Sequence, residues 1–172
     1  MSAPLVSNRQ NPASEAGIQL REPPEPWHDS EWQRLWLAVE SRPWRSLALI
    51  PAAEGASLEF SLIIAMTLSQ TGMVHLGRPI QVADATRVPL NQLAAFSNEV
   101  KRCTSNGERL LVALPPTGSN AVTASIAQSI DAAVLCILAT KMSSGDAKRT
   151  VKLVGATRFI GSAIFHSHKL GL

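Results

Sequence analysis

Apolar and amphipathic stretches alternate along most of this chain. Five short stretches are mainly apolar, which is typical of strands buried on both faces of a parallel sheet. They lie at 46–50, 79–83, 109–114, 132–139 and 158–165. Between them, apolar residues recur at helical spacing, at 57–70, 89–102, 119–130 and 145–154. This alternation predicts an α/β fold, a doubly wound, mostly parallel sheet of about five strands with helices on both faces.

A different pattern precedes the first predicted strand. Residues 1–28 contain five prolines and many small or polar residues. That composition predicts an extended, poorly ordered arm, because it offers little apolar surface to bury. Residues 29–172 are long enough to form one α/β domain around a single core. This domain is expected to open with a helix at 31–40, where Trp32 and Trp36 lie four residues apart on one face.

Composition then excludes several classes of function. Hydrophobic residues make up 45% of the chain and charged residues 17%, with a net charge of only +3. The basic residues lack the interleaved aromatic residues of single-strand nucleic-acid binders, so no nucleic-acid partner is expected. Two cysteines without a CxxC pair predict neither a disulfide framework nor a metal site. No apolar run reaches the length of a membrane span, and the pattern predicts a cytoplasmic protein without direct membrane insertion.

The loop after the first strand has the layout of a phosphate-binding site. A strand at 46–50, a short loop containing Gly55 and then a helix is the arrangement that cradles nucleotide phosphates in P-loop proteins. Such a loop needs glycines, a lysine on the β- and γ-phosphates and a hydroxyl on magnesium. Here Ser57 lies roughly where the lysine would be, and Leu58 follows where the hydroxyl would be. The first lysine of the whole chain is Lys101.

Two later strand ends carry partial motifs. The second strand ends at Asp84, with Thr86 two residues on and an arginine and a proline shortly after. The third strand ends at Ala113, just before a double proline. With this order of elements over residues 29 to 166, the chain resembles the cytoplasmic domain of bacterial tyrosine kinases of capsule and exopolysaccharide synthesis. That family belongs to the deviant P-loop class shared with the ParA and MinD partitioning ATPases.

The resemblance implies a damaged catalytic site. In the family the second strand ends in Asp-x-Asp and the third in Asp-x-Pro-Pro. Asp84 therefore matches the first aspartate, Thr86 replaces the second, and Ala113 replaces the aspartate that helps to organise the magnesium water shell. Because phosphoryl transfer depends on positioning and charge stabilisation, we expect neither an enzyme nor a bound cofactor or metal. Asp84 has a simpler alternative role, which is to cap a turn.

The predicted first helix resembles the family's helix that packs subunits into a ring. That helix carries Glu-x-x-Arg-x-x-Arg, of which Glu31 and Arg34 remain while Leu37 takes the third position. The resemblance implies an interaction surface that includes Glu31, Trp32, Arg34 and Trp36, with a homo-oligomer as one possible assembly. The open alternative is an ordinary i,i+3 charge pair on a solvated helix, whose tryptophans cover the sheet.

Three functional hypotheses follow. The first is a non-catalytic pseudo-kinase, an accessory protein of exopolysaccharide synthesis or export that binds a membrane-embedded polysaccharide co-polymerase. It would be peripheral at the inner membrane through that partner, and the absence of any tyrosine excludes an autophosphorylated tyrosine tail. The second is a degenerate ParA/MinD-like scaffold in partitioning, polarity or cellulose secretion. The third is an enzyme with a rearranged site that uses Ser57 or His75, although no nucleophile elbow or ordered triad appears.

Overall fold

The computed structural model describes residues 25–139 and 144–170 of the chain. Most of the predicted N-terminal arm, residues 1–24, lies outside the described residues. The strands are β1 (Ser46–Pro51), β2 (Gln81–Asp84), β3 (Leu110–Ala113), β4 (Ala132–Leu138) and β5 (Phe159–Phe165). The helices are α1 (Ser30–Glu40), α2 (Leu58–Leu76), α3 (Leu93–Ser105), α4 (Val122–Ser129), α5 (Ser144–Val154) and α6 (Ser167–Leu170).

The five strands form one parallel sheet in the order β2-β3-β1-β4-β5. β1 is fully buried and its side chains alternate between two cores. Leu47 and Leu49 face the core beneath α1, α2 and α6, whereas Ala48 and Ile50 face the core beneath α3, α4 and α5. The predicted α/β fold with helices on both faces is therefore confirmed.

Helix α2 is longer than its sequence pattern predicts. The predicted helix ends at residue 70, but α2 continues to Leu76 and ends at Gly77, whose φ of 66° is readily adopted only by glycine. Gly72 lies within the helix because α1 packs closely against it there. A Cβ added at Gly72 would lie 2.5 Å from both Ile80 Cδ1 and Trp36 Cη2, which is closer than real Cβ atoms come.

Candidate functional site

The candidate site lies at the carboxyl ends of the strands. β1 and β3 are neighbours in the sheet, but the helices that follow them lie on opposite faces, α2 on one and α4 on the other. The two connecting loops therefore diverge and leave a crevice between them, which is where open α/β sheets bind their ligands. The loop at residues 52–57 forms one wall of this crevice, and the loop that follows β3 forms the other.

Strand register brings the predicted site positions together at this edge. Ala113 is paired with Leu49 of β1 on one side and with Asp84 of β2 on the other. The backbone N–H of Leu114 donates to Leu49 O at 3.1 Å, which carries the alignment to the ends of the strands. Asp84, Ala113 and the loop after β1 thus converge at the carboxyl ends of the strands.

The loop after β1 is anchored at its start and open at its centre. The N–H of Ala52 donates to Cys136 O at 2.8 Å, and the N–H of Ala56 closes a turn onto Ala53 O at 3.1 Å. Gly55 is exposed, and no atom lies within 4 Å of where its Cβ would be. This backbone leaves room for a ligand above the loop.

The first turn of α2 carries the side chains that follow the loop. Ser57 is the N-cap residue, but its hydroxyl makes no capping hydrogen bond. Leu58 is the first helical residue and is half-buried. An alkyl group at this position offers neither a charge nor an oxygen ligand, as the sequence predicts for a phosphate loop without its chemistry.

Sequence reasoning missed Glu54, which lies across the mouth of the crevice. Its Oε1 is 3.1 Å from Nη1 of Arg149 on α5. A Cβ at Gly118, in the loop after β3, would overlap the Glu54 carboxylate, so the two residues are in contact across the crevice. The mouth of the crevice therefore holds an exposed ion pair, in which the Glu54 carboxylate already engages the Arg149 guanidinium. The signal in the sequence that could have identified Glu54 is an acidic residue within a candidate phosphate loop.

Asp84 is engaged in a local turn. Its Oδ1 accepts a hydrogen bond from the backbone N–H of Thr86 at 2.9 Å and another from the Thr86 hydroxyl at 2.7 Å. These are the bonds expected of a turn-capping aspartate. Ala113 is fully buried and presents only a methyl group at the end of β3. Neither position supplies the pair of free carboxylates that a magnesium site uses.

The four predicted interaction residues on α1 separate into two pairs. Trp36 is completely buried, and Trp32 is half-buried with its ring centroid 5.7 Å from that of Phe165. Trp32 thus packs against β5, whereas Trp36 packs against α2 and is a core residue rather than a surface contact. Glu31 and Arg34 are exposed.

The two residues of the rearranged-enzyme hypothesis are far apart. Ser57 precedes the first turn of α2 and His75 lies in its last turn, so the helix separates them by about 27 Å. They cannot act on one substrate atom within this chain. Ser57 lies near the carboxyl ends of the strands and His75 near their amino ends.

Other chemistry is sparse in the described part of the chain. Residues 25–139 and 144–170 contain no group of three histidine, cysteine or acidic side chains placed to hold a metal ion. No helix within those ranges is long and apolar enough to cross a membrane. Burial raises the pKa of the Cys136 thiol to about 12, which leaves it protonated and inert at neutral pH.

Comparison with known proteins gives a structural likeness alone. No family model and no curated protein matches the sequence. Among solved structures, the fold is similar to that of a BceF tyrosine kinase domain, with a TM-score of 0.56 and 13% sequence identity. The match covers 77% of this chain and 73% of the kinase domain. The chain therefore has a bacterial tyrosine kinase-like, P-loop NTPase-like fold.

Proposed function

We propose that this protein is a non-catalytic relative of the bacterial tyrosine kinases that serves exopolysaccharide synthesis or export by binding a partner protein. The likeness to a BceF tyrosine kinase domain supports the kinase-like part of the proposal. The observation that carries the non-catalytic part is the crevice between β1 and β3. At its mouth the Arg149 guanidinium is already paired with Glu54, and β3 ends in the buried Ala113, whereas phosphoryl transfer needs cations on the phosphates and a metal-binding carboxylate.

A calorimetric titration with ATP and magnesium tests the non-catalytic part. We expect no saturable heat in the low micromolar range and no hydrolysis, because removal of even one charge-stabilising group costs several kcal/mol of transition-state stabilisation. The matched control is Gly55→Asp, which adds a negative charge to the loop where the glycine has open space around it. Magnesium-dependent, low-micromolar binding by the native protein that this variant loses would contradict the proposal.

The proposed partner is a membrane-embedded polysaccharide co-polymerase, and the proposed contact surface is the exposed face of α1. Glu31, Arg34 and Leu37 recur every three residues on that helix, and Leu37 is 55% exposed. Arginine beside an exposed apolar side chain is a common composition for the centre of an interface. Because Trp32 packs against β5 and Trp36 packs against α2, this surface is held on a rigid element.

Retention of detergent-solubilised co-polymerase by the immobilised protein tests this surface. The double variant Arg34→Glu with Leu37→Asp should reduce retention about tenfold or more, because it reverses a charge and removes an apolar contact. Lys152→Glu is the matched control, since it reverses an exposed charge on α5, across the sheet. Equal retention of the double variant and the native protein would show that α1 is not the contact.

A further inference from the structure

The two edges of the sheet differ in how they are protected. β2 has only four residues, ends in the charged Asp84 and is preceded by Pro79. Short length, charge and proline are the usual devices that stop an edge strand from pairing with another chain. β5 has seven residues, from Phe159 to Phe165, and none of them is charged or a proline. One edge is therefore guarded, whereas the other is left able to pair.

The unguarded edge is also accessible. Among the described residues β5 pairs only with β4, so its outer side is open. Gly161 and Ser162 are exposed at the middle of the strand, and Ile164 is 66% exposed. An uncharged seven-residue strand rich in aromatic and β-branched residues has a strong tendency to add a further strand. These properties indicate that another strand covers β5 in the functional protein.

The order of residues in β5 identifies the strand that fits. Phe-Ile-Gly-Ser-Ala-Ile-Phe reads almost the same in both directions around Ser162. If two copies pair antiparallel about a twofold axis at Ser162, each Gly161 lies opposite an Ala163, and the two copies of Ser162 lie opposite one another. Matched cross-strand pairs of this kind are what stabilise a sheet.

Two further features suit a symmetric pair. In such an interface residue i of one copy meets residue j of the other, and a residue at the axis meets its own copy. A charge near the axis would therefore face the same charge. The absence of charge from β5 avoids that repulsion. The β-bulge, where β4 steps from Ala133 to Val134 and β5 from Phe159 to Gly161, lies outside the central residues Gly161–Ala163. The small centre can thus pair regularly.

We propose that β5 is the interface of a homodimer, in which two copies join their sheets into one continuous sheet about a twofold axis at Ser162. The occupant of this edge is a second copy of the same chain, and its β5 supplies the new strand. This interface does not depend on the proposed function. Arg34→Glu with Leu37→Asp should leave it intact.

A charge exchange at Ser162 tests the dimer, because the axis places this residue opposite itself. We expect the native full-length protein to sediment as a dimer. Ser162→Asp alone and Ser162→Lys alone should each raise the dimer dissociation constant about tenfold or more, since each places like charges opposite one another. An equimolar mixture of the two variants should restore dimers, because the opposing charges are then unlike.

Any other pattern overturns the proposal. A monomeric native protein would show that another segment or a different protein covers the edge, and dimers that survive in both single variants would place the interface elsewhere. Failure of the mixture to restore dimers would exclude the twofold axis at Ser162. Far-ultraviolet circular dichroism should show native helix content in both variants, since Ser162 is exposed.

A disulfide measurement does not depend on how well the charged variants fold. Directly opposed residues of an antiparallel pair have Cα atoms about 4.5–5.5 Å apart, which is within disulfide range. Ser162→Cys should therefore give a covalent dimer on mild oxidation. Ser125→Cys, at an exposed serine of α4, is the matched control and should give none. Equal cross-linking of both variants, or none of Ser162→Cys, would contradict the proposed axis.

Discussion

Two glycines, one in the loop before α2 and one in the last turns of α2, show how differently the structure constrains its core and its crevice. Gly72 lies under α1, where an added methyl group would meet Trp36 and Ile80 at distances that real Cβ atoms do not show. Gly55 lies in the loop after β1, with no atom within 4 Å of the same position. The first glycine is required by packing, whereas no contact among residues 25–139 and 144–170 requires the second.

The difference indicates which properties of the kinase-like fold this chain keeps. The core beneath α1 and α2 is closely packed, and close packing is what selects one folded structure. The crevice has the strand ends and the loop in place, with Glu54 at its mouth and Ala113 at the end of β3. Folding depends on buried apolar surface and makes no use of a phosphate site, so the site can lose its chemistry without loss of the fold.

The largest expected effect concerns the closely packed contact between α1 and α2 at Gly72. Gly72→Ala should lower the free energy of unfolding by about 3 kcal/mol, because the methyl group forces α1 away from α2. Helix propensity acts in the opposite direction, since alanine within a helix is favoured over glycine by about 1 kcal/mol. Chemical denaturation with urea measures the net change.

Gly55→Ala is the matched control at the crevice. It makes the same change of side chain in a loop with open space, so the free energy of unfolding should change by less than about 0.5 kcal/mol. A stable Gly72→Ala protein would show that the contact between Trp36 and α2 adapts easily. Strong destabilisation by Gly55→Ala would show that the loop is as constrained as the core.

A smaller effect on stability is expected at high pH, through Cys136, which lies where the core meets the crevice. Cys136 holds the loop through its carbonyl oxygen, while its thiol is fully buried. Burial raises the thiol pKa from an ordinary value near 9.0 to about 12. The unfolded chain therefore ionises first as pH rises, and the stability that the buried neutral thiol contributes is present below pH 9 and lost between about pH 9 and pH 12.

The expected loss in that window is about 1.4 kcal/mol per pH unit. Urea denaturation at pH 8.5 and at pH 10.5 measures this loss. The free energy of unfolding should be roughly 2 kcal/mol lower at the higher pH. Cys136→Ala should show a correspondingly flatter dependence on pH, whatever its stability at neutral pH. An unchanged slope in that variant would mean that the thiol is accessible to solvent and that the core does not extend beneath the loop.

Local pattern was enough to predict the layered fold. The strands were predictable because a strand buried on both faces is apolar along its whole length, as β1 and β4 are. The convergence of Asp84 and Ala113 was predictable too, since parallel strands end at the same edge. The end of α2 was not predictable, because Gly72 favours a helix end by propensity and only the packing of α1 explains its place within the helix.

The sequence by itself determined which residues occupy the motif positions: no lysine before Lys101, an alanine at position 113 and no tyrosine anywhere. Only the tertiary structure decided which apolar residues are available to a partner. Helical spacing groups Trp32 with Trp36, but Trp36 is buried against α2, Trp32 is half-buried against β5, and Leu37 is exposed. Only the tertiary structure decided that Glu54 contacts Gly118 and Arg149. It also made β5 an edge strand, through the order of the strands in the sheet. Contacts between distant segments carry no local signal, because they depend on how the elements assemble.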